Sequence, residues 1–265
     1  LRLKIMGGEP TIHPEFLRIY SYAQEKFLAV DLFTNALDNT LLKIKPRAND
    51  RIIYNITFID KNFDFAKLLQ IYDFGRSFET MIGSTTEISQ LKKKIQLIVE
   101  RCVELEIRTI PKFSITLNCV ENIFEKKEIL NEKWRELVGY IIKINPLFLG
   151  FDHSVPFCFW TDETKEFIKK NNITDYLAWT CRPGCYGLIN SDFELLHCNQ
   201  HPIKIGCVFE NDEQSKLISF DELNNILLSA NTEKTKRNLD SQRCKSCEFA
   251  GKTCTGGCFL HKYQD

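Results

Sequence analysis

Four cysteines fall within the last twenty-two residues, as Cys244-x2-Cys247-x6-Cys254-x3-Cys258. Thiolates at such spacing can converge on a metal ion or an iron–sulfur cluster, and Gly251, Gly256 and Gly257 let the backbone fold back between them. Buried or disulfide-bonded cysteines are the competing reading. A second thiol group precedes the first: Cys181-Arg182-Pro183-Gly184-Cys185, then Cys198. At the other end of the chain Gly7-Gly8-Glu9-Pro10 follows a short apolar stretch. Two glycines there permit close backbone approach to a ligand, while Pro10 removes a donor and stiffens the exit. Taken alone, the glycine pair also fits an ordinary strand-to-helix turn.

The elements that must position these residues divide the chain in two. Over 1–155, strand-like and helix-like stretches alternate. Leu1–Met6, Phe27–Phe33, Arg51–Ile59, Phe78–Thr85, Ile107–Leu117 and Pro146–Asp152 read as strands. Pro14–Lys26, Phe63–Tyr72, Glu87–Glu106 and Lys133–Ile144 read as helices; Ile88, Leu91, Ile95, Ile98, Val99, Cys102 and Leu105 mark a helical period. Such alternation predicts a mostly parallel sheet with crossover helices and ligands at the carboxyl ends of the strands. Over 156–265 the texture is cysteine-rich. Leu188–Ile189 and Glu194–Cys198 flank Asn190-Ser191-Asp192 as a hairpin, and Phe220–Ala230 reads as a helix.

The string MGGEPTIHPEF, residues 6–16, resembles the GGEP motif of radical SAM enzymes, and Phe33-Thr34-Asn35-Ala36 resembles the TNG at the end of that family's third strand, with alanine for glycine. The cysteine-rich tail resembles the SPASM/twitch extension, which carries auxiliary [4Fe–4S] clusters. The resemblance implies a partial (β/α)6 barrel beginning at its second strand, followed by an auxiliary-cluster domain. It places Gly7, Gly8, Glu9 and Pro10 at S-adenosylmethionine, whose amino group the turn's backbone would hold. Asn55 and Thr57, expected on one face of the next strand, would face the cofactor too. The same resemblance assigns Cys181, Cys185, Cys198 and Cys258 to a first auxiliary cluster, and Cys244, Cys247 and Cys254 to a second. Two departures stand out. Phe193 occupies the place where many such hairpins carry glycine ahead of the cysteine. The second cluster lacks a downstream fourth cysteine, leaving an open iron, a ligand beyond Asp265, or a non-cysteine ligand such as His261.

The family's C-x3-C-x2-C loop is not in this chain. A βα unit carrying it is expected ahead of Leu1, a βαβ unit occupying roughly 30 residues or more. The rival is a degenerate homologue that has lost the loop and acts as a scaffold. The implied activity of the parent is radical oxidoreduction on a peptide or protein substrate, with an electron donor such as a flavodoxin or ferredoxin. A different class remains open: a zinc-stabilised binding module, since four thiolates also close a tetrahedral zinc site.

Among the remaining candidates, Cys102 and Cys119 read as core or near-core thiols and Cys207 as a spare thiol. Cys158 reads as a packing residue, although it follows the last expected strand. Asp152-His153, at the end of that strand, is either an acid–base pair or a hydrogen-bonded loop pair. Thirty-five basic and 35 acidic residues cancel, so no global field draws nucleic acid or an anionic membrane. The opening LRLKIMGGEP has no secretory pattern, and no apolar run approaches the ~18 residues of a membrane span. The expectation is a cytoplasmic protein.

Overall fold

β-branched and aromatic residues crowd six short segments that become β1 (Arg2–Ile5), β2 (Ala29–Thr34), β3 (Arg51–Asn55), β4 (Arg76–Ile82), β5 (Lys112–Leu117) and β6 (Leu149–Phe151). In the computed structural model all five neighbouring pairs are parallel, and the strands lie in chain order, β1 to β6. The structure describes residues 2–59, 62–64, 76–107, 112–118, 121–144, 149–151, 155–173, 188–190, 192–198, 201–209, 217–238, 242–252 and 254.

Register divides this sheet into two unlike faces. Tyr54, Phe78 and Phe113 are consecutive cross-strand partners, and their rings pack at 5.2 and 5.8 Å. With Val30, Leu32, Ile52, Ile82, Ile115 and Leu117 they form a buried apolar face. Each such side chain contributes about 1.5–3 kcal/mol by leaving water. The opposite face is mixed, mostly polar around a Phe33–Ile53 pair: Lys4 pairs with Asp31, Asp31 with Arg51, Asn55 with Glu79, and Glu79 with Ser114. Parallel sheets buried on both sides read as near-continuous apolar runs. Outside β3, where Ile52, Ile53 and Tyr54 are all buried, this sheet carries polar residues on its second face.

Helices supply the apolar cover. α1 (Phe16–Lys26) buries Phe16, Tyr20 and Ala23, and α2 (Ile88–Glu104) buries Ile88, Leu91, Ile95, Ile98 and Cys102. Both sets recur at three- and four-residue intervals. α2 ends where Glu106 turns left-handed, at φ 55°, and the Ile107 N–H returns to the Cys102 carbonyl at 2.9 Å. α3 (Lys127–Ile144) begins six residues before the expected Lys133.

The chain divides into two compact units, residues 1–117 with 132–152, and 118–131 with 153–265. The second thus takes in 118–131, a stretch from the middle of the alternating region. It contains α4 (Asp162–Lys170), β7 (Leu188–Ile189), β8 (Glu194–Cys198), β9 (His201–Cys207), α5 (Phe220–Asn238) and α6 (Gln242–Lys245). β7 and β8 form the expected hairpin, and β9 adds a third antiparallel strand. α4 was not expected. Thr161 caps it, Asp162 and Glu163 open it, and Lys169 and Lys170 close it, each complementing the helix dipole.

One expectation needs correction. Thr57 is not on the strand with Asn55. β3 stops at Asn55, whose Oδ1 accepts the Thr57 N–H at 3.0 Å and caps a 3-10 turn over Ile56–Phe58. A short polar side chain competes here with the sheet ladder for backbone donors. The expected helix over Phe63–Tyr72 lies mostly outside the described residues. No helix among the described residues is long and apolar enough to cross a membrane.

Candidate functional site

β1, β2 and β3 are neighbours, so their carboxyl ends bring three turns side by side. The first is Gly7-Gly8-Glu9-Pro10. Gly7 has φ +103° and Gly8 φ +52°, both glycine-favouring, and nothing lies within 4 Å of where a Cβ would stand on either. The two glycines are exposed, so their backbone is open to a ligand. Pro10 then opens a 3-10 turn over Pro10–Ile12.

Glu9 ties this turn to the next one. Its Oε1 accepts the Thr11 N–H at 3.1 Å, the Thr11 hydroxyl at 2.6 Å and the Thr34 hydroxyl at 2.7 Å, and its Oε2 accepts the Asn35 N–H at 2.5 Å. Thr34 passes the tie along, its Oγ1 accepting the Ala36 N–H at 2.9 Å. Ala36 is buried at φ 55°. Glycine adopts that conformation without cost and an L-residue does not. The signal for the Thr11 and Thr34 roles was their spacing from Glu9 and Asn35, but only the register of β1 against β2 brings them together.

Beneath the turns lies the polar sheet face. Near the amino ends of the strands, Asp31 is fully buried and ion-paired by both Arg2 and Arg51, the latter also donating through Nε at 2.9 Å. Nearer the carboxyl ends, Glu79 accepts the Thr116 hydroxyl at 3.1 Å. Lys4 rests over the Phe33 ring at 5.5 Å. The face therefore offers hydrogen-bonding groups of both senses within one parallel sheet.

The described thiols of the cysteine-rich tail lie in the second unit. Cys244 lies in α6, and successive turns follow: Cys247 N–H to the Cys244 carbonyl at 3.2 Å, and Ala250 N–H to the Cys247 carbonyl at 3.2 Å. Gly251, at φ 73°, lets the chain reverse, so that the Cys254 N–H reaches the Phe249 carbonyl at 3.0 Å and the Gly251 N–H reaches the Cys254 carbonyl at 2.9 Å. Cys244, Cys247 and Cys254 are reduced and half-buried.

Cys158 departs from its expected packing role. It sits in a 3-10 turn over Phe157–Phe159 that buries Phe159 and leaves Cys158 exposed. The Phe157 ring packs on Phe249 at 4.6 Å. Desolvation raises the pKa of the Cys158 thiol, and the thiols of Cys254, Cys244 and Cys247 raise it further.

Cys198 ends β8, with its backbone paired to His201. Cys181, Cys185, Cys258, His261, Cys119, Asp152 and His153 lie outside the described residues. Cys102 is buried on α2, and the Cys207 thiol donates to the Phe193 carbonyl at 3.5 Å. Phe193 has φ 60°. Among the described residues, no three His, Cys, Asp or Glu side chains are gathered as a ready site for a single metal ion. No protein-family model, no curated protein and no solved structure matches this chain.

Proposed function

We propose that this chain is part of a radical SAM oxidoreductase with a SPASM-type auxiliary domain, acting on a peptide or protein substrate. The observation that carries the reading is the Glu9 clamp. One carboxylate holds the GGEP turn against the Thr34-Asn35-Ala36 turn, at the strand ends where this resemblance puts the cofactor. Two further details support it. Ala36 and Phe193 stand where the resemblance expects glycine, and both keep a left-handed backbone. An all-parallel sheet in unbroken chain order is the order of a partial barrel, whereas a doubly wound sheet reverses at a switch point.

In this reading the exposed backbone of Gly7 and Gly8 binds the ammonium of S-adenosylmethionine, and Glu9 positions that backbone rather than meeting the ligand, since its oxygens are already engaged. The polar face bearing Asn55, Glu79 and Thr116 orients a substrate by hydrogen bonds. S-adenosylmethionine, if held there, would supply radical hydrogen-abstraction chemistry on one-electron reduction. The C-x3-C-x2-C loop for that reduction is not in this chain, whose own cysteines are instead suited to auxiliary [4Fe–4S] clusters. The donor set fits: thiolates are the usual ligands of such clusters.

Anaerobic purification followed by iron, sulfide and zinc analysis tests the reading. The expected result is brown protein with about four irons and four sulfides for one cluster, or about eight of each for two. Zinc without sulfide would overturn it and leave a zinc-stabilised binding module. Release of 5′-deoxyadenosine on reduction separates an active enzyme from a scaffold that keeps only auxiliary clusters.

A further inference from the structure

We propose that the row Asn55, Glu79, Ser114 and Gly150, on the open face of the parallel sheet, is the subsite for a basic side chain of the peptide substrate. The proposal deepens the reading above and takes from it that the ligand is a peptide. Register sets these four residues side by side, one on each of β3, β4, β5 and β6. Asn55 pairs with Glu79, Glu79 with Ser114, and Ser114 with Gly150. Neighbouring strands lie about 4.8 Å apart, so the row spans roughly 14 Å. It stands toward the carboxyl ends of the strands, where parallel sheets of this kind take their ligands.

β4 shows which side is open. Phe78, Thr80 and Ile82 are buried, whereas Glu79 is half-buried and Met81 is 44% exposed. Successive strand residues face opposite ways, so water reaches Glu79 and Met81 from the face away from the buried set. Asn55 and Ser114 are half-buried on that same face. The row has shape as well as access. Asn55 and Glu79 are its long members, Ser114 is small, and Gly150 carries no side chain. Glycine inside a strand weakens it and recurs where a ligand approaches the backbone closely.

The charge at the centre of the row is held in place. The Thr116 hydroxyl donates to Glu79 Oε1 at 3.1 Å, from the next row, where Thr116 pairs with Met81. A carboxylate offers about four acceptor positions, so this bond orients the group, which can receive an ammonium or guanidinium as well. Met81 adds a pliable apolar surface for the methylene stem of such a cation. The other carboxylate on the strands of this face, Asp31, lies near their amino ends and is ion-paired with Arg2 and Arg51. Glu79 is therefore the strand residue that brings negative charge to the carboxyl end.

The chain's two methionines, Met6 and Met81, serve as reporters. Met81 lies two residues beyond Glu79 on the same face, and Met6 directly precedes the glycine turn. The full chain is purified anaerobically with isotope-labelled methionine methyl groups, and the NMR signals are assigned with Met6→Leu and Met81→Leu. The probe is a blocked pentapeptide of four glycines around a central lysine, with arginine, glutamine and glutamate counterparts. The expected result is a saturable shift of the Met81 signal with a basic peptide, and at least about tenfold weaker binding of the glutamine and glutamate peptides. Glu79→Gln should weaken the basic peptide by the same factor, and so should Gly150→Val, which raises the low side of the row. Glu79→Gln, nearly isosteric, decides the matter if Gly150→Val does not fold. Equal binding of the glutamine peptide, undiminished binding by Glu79→Gln, or a Met81 signal that no peptide moves would overturn the proposal. A Met81 response in protein that holds zinc and no sulfide would uphold the subsite while the radical reading fails. A silent Met81 in cluster-loaded protein would sink the subsite and leave that reading standing.

Discussion

Glu9 and Ala36 show how much of the first site depends on single side chains. Glu9→Gln keeps the shape but replaces an ionised acceptor with an amide, one end of which would face donors. The expected cost is about 1.5–3 kcal/mol, read from urea unfolding. Ala36 tests backbone strain. Ala36→Gly removes a buried methyl but relieves a left-handed L-residue, so the net change should stay within about 1 kcal/mol. Ala36→Val keeps the strain and adds bulk to a buried place, and should cost about 2 kcal/mol or more. Equal effects from the two substitutions would contradict this account. At Cys158, sequence reasoning failed for a definite reason. A residue flanked by Phe157 and Phe159 looks like core, yet a 3-10 turn buries one neighbour and exposes the residue between.

Among elements, the junction of α1, β2 and β3 is held by Asp50. Its carboxylate accepts from Val30 N–H at 2.8 Å, Arg47 N–H at 2.8 Å, Gln24 Nε2 at 2.7 Å and the Arg47 guanidinium at 3.0 Å. Burial pushes the Asp50 carboxyl upward, but these donors, Arg47 foremost, outweigh it and hold the pKa below its ordinary 3.8. A depressed carboxyl contributes stability above the unfolded-state pKa and loses it as pH falls through the folded one. Asp50→Asn should therefore be about 2–4 kcal/mol less stable at neutral pH. The gap to wild type should narrow only below about pH 4, as urea midpoints taken across pH would show. A constant gap down to pH 2 would exclude this source. The six strands and helices α1, α2 and α3 were legible because apolar spacing marks them. α4 was not, having little beyond Phe167 and Ile168 to show a period, though its Thr161 cap and its end charges were there to read. β3 was read too long because Asn55, its last residue, also caps the 3-10 turn that ends it.

For the molecule as a whole, the proposed metal sites fall in the unit made of 118–131 and 153–265. Metal binding that requires a folded site is also folding free energy. Stripping the metal by a chelator with an oxidant should reduce hydrogen-exchange protection in 118–131 and 153–170, and leave β2, β3 and β4 protected as before. Uniform loss across both units, or none, would count against the auxiliary-cluster reading. Asn131→Ala should act similarly without touching a ligand. It strands the Phe159 carbonyl and the Thr161 N–H in a buried setting, at about 1–3 kcal/mol, and should lower iron retention along with stability.

The route of the chain also limits how such a protein can be recombined. It passes from one unit to the other at 117/118, 131/132 and 152/153. A single crossover near residue 155, where composition shifts, would import a new cysteine-rich part and leave Asn131 behind, parting it from Phe159 and Thr161. Exchange of that part as a working cassette therefore requires the graft to carry 118–131 as well, so the two regions are expected to be inherited, and to vary, as a linked pair.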